Sequence, residues 1–156
     1  MMERTRYYEA LQKLADVYFA ESGKETATTK EIAFWAIKNR KWDAPADLIM
    51  SKCREDFAKA LREQYIQDRS GRPVRAKHVA RIRSGEEQLH LWADIRTAPR
   101  RHMEFAFHQR REQIVGDCTQ LKRDVDYYND LHPKAEPIQL MLDFTDDVEE
   151  MEAARS

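Results

Sequence analysis

Apolar positions at Tyr7, Leu11, Leu14, Ala15, Tyr18 and Phe19 recur at the spacing of one helical face, which predicts a helix over residues 3–21. Ser22-Gly23-Lys24 ends it, with Gly23 suited to a left-handed C-cap. Thr28-Thr29-Lys30-Glu31 fits a capping box, in which Thr28 caps and Glu31 reaches back. A second helix then runs to about Asn39, with Ile32, Trp35 and Ala36 inward and Phe34 beside them. Pro45 suits the first turn of a third helix ending near Glu63. Its apolar stripe is Ile49, Cys53, Phe57, Ala60 and Leu61, which predicts an inward face. Ser51, Lys52, Glu55, Lys59 and Arg62 form the opposite, outward face.

The period changes after Glu63. Residues 64–69 and 74–79 read as two short strands about the turn Ser70-Gly71-Arg72-Pro73, a hairpin. Leu89, Leu91, Ala93 and Ile95 alternate over residues 87–95. From Pro99 a long helical pattern runs to about Asp130, carrying Met103, Phe107, Ile114, Cys118, Leu121, Val125 and Tyr128, with Gly116 as a point where it could bend. The stretch from His132 to Pro137 is a linker. Ile138, Leu140, Leu142 and Phe144 alternate after it, and an acidic tail follows.

Charge changes this picture more than composition does. The 156 residues hold 27 Lys and Arg against 28 Asp and Glu, a formal net charge of −1. The charges are polarised: the six cations and one acid of residues 65–83 give +5, whereas residues 113–156 carry −7. Such a division predicts a patch for an anionic partner beside an acidic tail. No apolar run approaches the roughly 20 residues of a membrane span. The N-terminus has no signal-peptide core, and Cys53 and Cys118 make no disulfide framework, so a cytoplasmic, reduced location is expected.

Three helices followed by a basic hairpin is the order of a winged helix-turn-helix domain. Residues 4–80 resemble such domains. The stretch TTKEIAFWAIKNRKW, followed by a longer helix, is similar to the helicase- and restriction-associated winged-helix type. The expected fold class is mainly α with a small β-hairpin wing. A winged-helix domain over 1–83 would precede a connecting strand and long helix over 84–132. A linker, apolar segment and acidic tail over 133–156 complete the chain. The resemblance implies a duplex-DNA partner. The nucleic-acid-binding candidates are Arg40 and Lys41 before the third helix, and Ser51, Lys52 and Lys59 on it. Those of the wing are Arg69, Arg72, Arg75, Lys77, His78, Arg81 and Arg83, whose cations would release counterions from phosphates. Asp47, Glu55 and Asp56 offset the cations of the third helix, which argues against base reading by it.

Gln88-Leu89-His90-Leu91-Trp92 and Gln139-Leu140-Met141-Leu142-Asp143-Phe144 share a Gln-Leu-x-Leu start and reach an aromatic. Both resemble the peptides that dock bacterial polymerases and repair proteins on the sliding clamp. That resemblance implies partner-binding anchors at Gln139, Leu140, Leu142 and Phe144, with Gln88, Leu91 and Trp92 as a second set. The same alternation equally fits two strands paired in one small sheet. The long helix either packs back through Phe105 and Phe107 or pairs with its copy in a homodimer over 99–130. The acidic tail either covers the basic wing or lies solvated. No cofactor, metal site or catalytic constellation is expected. The five His lack metal spacing, no phosphate loop is present, and Asp94, Glu104 and Glu112 read as solvated carboxylates rather than a nuclease centre.

Overall fold

A computed structural model describes residues 2–155. Helices α1 (Met2–Ser22), α2 (Thr29–Lys38) and α3 (Leu48–Arg62) come first. Strands β1 (Tyr65–Gln67), β2 (Pro73–Arg75), β3 (Lys77–Ser84) and β4 (Glu87–Asp94) follow, then helices α4 (Arg100–Leu131) and α5 (Thr145–Ala153). The fold is mainly helical with two antiparallel hairpins, a layout compatible with a winged helix. The chain divides into two compact units between Asp56 and Phe57, inside α3. Among the described residues no helix is long and apolar enough to cross a membrane.

In the first unit the predicted punctuation is present. The Gly23 N–H donates to Phe19 O at 3.1 Å with φ of 66°, a left-handed end to α1. The Thr28 N–H donates to Glu31 Oε2 at 2.7 Å, and the Glu31 N–H donates to Thr28 Oγ1 at 3.1 Å, so both orphan amides are satisfied. The α1–α2 core is small and aromatic. Buried Tyr18 meets Trp35 edge-on at 5.5 Å beside buried Ala36, and Trp42 Nε1–H donates to Tyr7 Oη at 2.8 Å.

Helix α3 corrects the sequence reading. It begins at Leu48, after a turn, and its apolar stripe is not inside: Ile49 is 87% exposed, Phe57 66%, and Cys53 is exposed as well. Of the face expected outside, Lys52, Glu55, Lys59 and Arg62 are exposed, with Glu55 lying 3.8 Å from Arg4 of α1 in an open surface pair, and Ser51 is half-buried. Periodicity locates the apolar side correctly, but Ile49, Cys53 and Phe57 on it stand in solvent like the polar side.

The second unit is built on β3. The predicted second strand breaks at Ala76, which is fully buried. Its N–H donates to Gln64 O at 2.9 Å and its carbonyl accepts from Ile95 N–H at 2.8 Å, tying the two hairpins together. β3 pairs with β4 along its whole length through the two-residue loop Gly85-Glu86, where Gly85 takes φ of 64°. One face of β3 packs on α4. Ala80 is 0% exposed, His102 Nε2 lies 3.0 Å from His78 O, and Phe107 meets the His78 ring edge-on at 5.2 Å. Gln109 clamps Arg81 twice, accepting from its N–H and donating to its carbonyl, each at 2.8 Å. The start of the long helix therefore packs back through Phe107, while Phe105 stays exposed under Arg101, and α4 continues unbroken through Gly116.

Residues 138–144 form no strand. With β4 committed to β3, the expected sheet between the two Gln-Leu segments is not made. Asn129 instead holds Ile138 by both its backbone groups, at 2.9 and 3.0 Å. The acidic tail is not a plain coil: residues 145–153 are helix α5, entered through an Asp143 carboxylate that accepts from the Thr145 N–H and hydroxyl.

Candidate nucleic-acid interface

Strand alternation sorts the candidate cations of the hairpins. Directly opposed residues share a face, so Lys77 with Asp94, Val79 with Trp92, Arg81 with His90 and Arg83 with Gln88 line the side away from α4. His78, Ala80 and Ile82 line the other side. His78 is therefore not part of the basic face. It is buried against α4, its Nε2 lies 2.9 Å from Arg75 O, and burial holds its pKa below the usual imidazole value. A neutral, enclosed imidazole makes no phosphate contact.

Ion pairing sorts the cations further. Lys77 is engaged by Asp94 at 2.8 Å, and Arg96 grips the same carboxylate. Hydrogen bonds from Arg96 and Lys77 hold the Asp94 carboxyl far below the usual carboxylate range, so it is the ionised acceptor shared by both cations. Arg72 closes the β1–β2 loop by donating from Nε to Asp68 Oδ2 at 2.8 Å, while Asp68 Oδ1 accepts the Ser70 and Arg72 N–H groups. The Arg72 Nη1 also donates to Glu152 Oε2 of α5 at 3.1 Å. Pro73 and Val74 line a shallow recess there with Val148 and Met151. Arg69, Arg75, Arg81 and Arg83 have no carboxylate partner among the described residues.

The helical candidates lie elsewhere. Arg40 has φ of 53° at the end of α2, where its N–H donates to Ile37 O and the Lys41 N–H donates to Ala36 O. The Lys41 ammonium sits 5.4 Å over the Trp35 ring. On α3, the Ser51 hydroxyl donates to Asp47 and Lys52 pairs with Asp56, so both are locally engaged. Lys59 is exposed in the last turn.

The two Gln-Leu segments part company. Gln88 and Trp92 share the face of Arg81 and Arg83, whereas Leu91 lies opposite Ala80 on the other, so these three do not project as one peptide. Gln139, Leu140, Leu142 and Phe144 lie in an extended, unpaired stretch. Met141 is 83% exposed, Leu140 51% and Phe144 42%, with Leu142 the most covered.

Two participants escaped sequence reading. Arg110 belongs to α4 yet acts electrostatically on Arg75 and His78. Glu152 reaches Arg72 from 80 positions away. Arg110 did leave a signal, as the charge that interrupts the apolar line Met103, Phe107 and Ile114. Compared with family models, with curated proteins and with solved structures, the chain matches none.

Proposed function

We propose that this protein is a non-enzymatic, DNA-binding winged-helix protein, accessory to DNA transactions, that grips duplex backbone through its hairpins. The observation that carries this reading is the open face of β3. Arg81 and Arg83 stand there two residues apart without a carboxylate partner, beside Gln88 and Trp92, and unpaired Arg69 lies on the β1–β2 loop. The planar guanidinium fork matches phosphate oxygens, so less side-chain freedom is lost per hydrogen bond formed. Asp47, Glu55 and Asp56 offset the cations of α3, and Lys52 is paired with Asp56, so contact to phosphate rather than to base edges is the favoured mode.

Fluorescence anisotropy on a labelled duplex over a salt series tests this. Dissociation constants of about 10⁻⁴ to 10⁻⁶ M near physiological salt are expected, weakening linearly in log–log form. Arg81→Ala with Arg83→Ala should reduce the slope by about two. Absence of binding at low salt refutes the reading.

A second reading, an adaptor that docks through residues 139–144 on a sliding-clamp-like partner, is favoured by the open, extended state of that segment. Its anchors are Gln139, Leu142 and Phe144. Surface plasmon resonance of the full chain on immobilised clamp should show binding that Leu142→Ala with Phe144→Ala abolishes. Equal binding by that variant removes the reading.

A further inference from the structure

We infer that the open face of β3 and β4 takes a single strand of nucleic acid, with Trp92 as the platform on which a base stacks and Arg81 and Arg83 as the grip on its backbone. Such a role rests on the DNA-binding reading of this face and specifies the form of its partner. The strand register places the three side chains. Both backbone groups of Arg81 are taken by Gln109, so Arg81 and His90 form a pair without ladder hydrogen bonds between them. Val79 with Trp92 and Arg83 with Gln88, two residues to either side, share that character, which brings opposed side chains closest together. Same-face positions along a strand stand about 7 Å apart. Trp92, level with Val79, therefore lies one step along the face from Arg81, and Arg83 lies one step beyond.

The make-up of this face is not that of a core. The apolar residues of the hairpin, Ala80, Ile82, Leu89, Leu91 and Ala93, occupy the opposite face, where Ala80 is buried against α4. The solvated side of an antiparallel pair ordinarily carries polar residues, so a large aromatic there calls for a reason. Trp92 is half-buried, and no aromatic or cationic side chain among the described residues stacks on its ring. The acid of this face, Asp94, is neutralised by Lys77 and Arg96, which leaves Arg81 and Arg83 to set its sign. An aromatic ring beside fixed cations is the combination that holds unpaired nucleotides: every base has a π-face to stack, and its phosphates go to the cations. The bases of a duplex are stacked on one another and offer Trp92 nothing. An acidic peptide would engage the arginines and leave the indole unused.

Fluorescence anisotropy of the full chain at low salt compares a labelled oligothymidylate with a duplex of equal phosphate number. The single strand should bind about tenfold tighter or more. Trp92→Leu should weaken the single strand about tenfold more than the duplex, whereas Arg81→Ala with Arg83→Ala should weaken both. Should Trp92→Leu not fold, nuclear magnetic resonance of the wild-type chain makes the decision. Trp92→Phe, which keeps a ring, identifies the Trp92 indole N–H among the three tryptophan signals. That signal should shift with oligothymidylate and stay in place with duplex. A duplex bound as tightly as the single strand, or an indole signal that oligothymidylate does not move, overturns the platform and leaves the duplex reading standing. Trp92-dependent binding of the single strand without binding of the duplex supports the platform and removes the duplex grip. Binding of neither at low salt removes both.

Discussion

At the residue scale, local chemistry accounts for the ends of α1 and α2 almost completely. The Glu31 carboxylate accepts from Lys24 and from the Thr28 backbone and hydroxyl, which pulls its pKa down to about 2 from 4.5. A depressed carboxylate contributes stability that is fully present above the unfolded value and is lost as pH falls through the folded one. The contribution of this box therefore disappears between about pH 4.5 and pH 2, and Thr28→Ala should flatten that part of an acid-unfolding curve while costing about 1 kcal/mol at pH 7. Arg40 presents the converse case. The 41-to-36 and 40-to-37 backbone bonds make a Schellman ending, with a side-chain-bearing residue at the left-handed position glycine prefers. Arg40→Gly should raise stability by about 0.5–1 kcal/mol in denaturant titrations. If Arg40 also meets phosphate, the same variant weakens duplex binding, so a stabilised variant with unchanged DNA affinity removes Arg40 from the interface. The Gly23 end and the Thr28–Glu31 box were legible because capping needs only residues three to five apart, whereas nothing in the sequence marked Arg40 as left-handed, since glycine is the usual signal there.

At the element scale, legibility falls off, and for one reason. Hydrophobic period tells which side of an element is apolar but not what covers that side. The stripe Ile49, Cys53, Phe57 was correctly located and wrongly placed inside, because period alone does not say whether another element covers it. Alternation at 87–95 marked a strand, while its pairing with β3 rather than with 138–144 was set by the short Gly85-Glu86 loop. Helix α5 was hidden by its acidic composition, although Asp146 and Asp147 in its first turn suit the helix dipole and Val148 and Met151 lie three apart. The same limit applies to the far half of α4, whose exposed Ile114, Leu121 and Tyr128 alternate with half-buried Cys118 and Val125 at coiled-coil spacing. In a parallel pair, Asp117 and Lys122 flank that seam with opposite charges. Sedimentation equilibrium should then show a reversible dimer at micromolar concentrations that Leu121→Asp abolishes with helicity retained. A monomer at all concentrations would leave the seam unpaired.

At the scale of the whole molecule, the net charge of −1 is a cancellation that the second unit makes in space as well as in sum. The Glu152 carboxylate on Arg72 shows that the acidic end of the chain meets the +5 hairpin region, and Val148 and Met151 beside Val74 give that contact an apolar footing. Arg72 is the hairpin cation most committed to acids, paired at once with Asp68 and Glu152. Exposed pairs of this kind contribute little to stability. Their consequence for binding is larger, because every carboxylate near the hairpin repels the phosphates that Arg69, Arg81 and Arg83 would attract. Residues 145–156 carry five acids and one arginine, so their removal takes the chain from −1 to +3. Truncation after Phe144 should therefore tighten duplex binding severalfold at 50 mM salt, with the gain shrinking toward 300 mM as the Debye length shortens. Glu152→Gln separates contact from field: if it reproduces most of the gain, the tail acts by occupying Arg72. If only truncation does, it acts by its summed charge. Unchanged affinity in both variants would mean that the hairpin arginines meet DNA on a side the tail does not reach. The β3 face of Arg81 and Arg83 would then be favoured over the Arg72 loop as the place of contact.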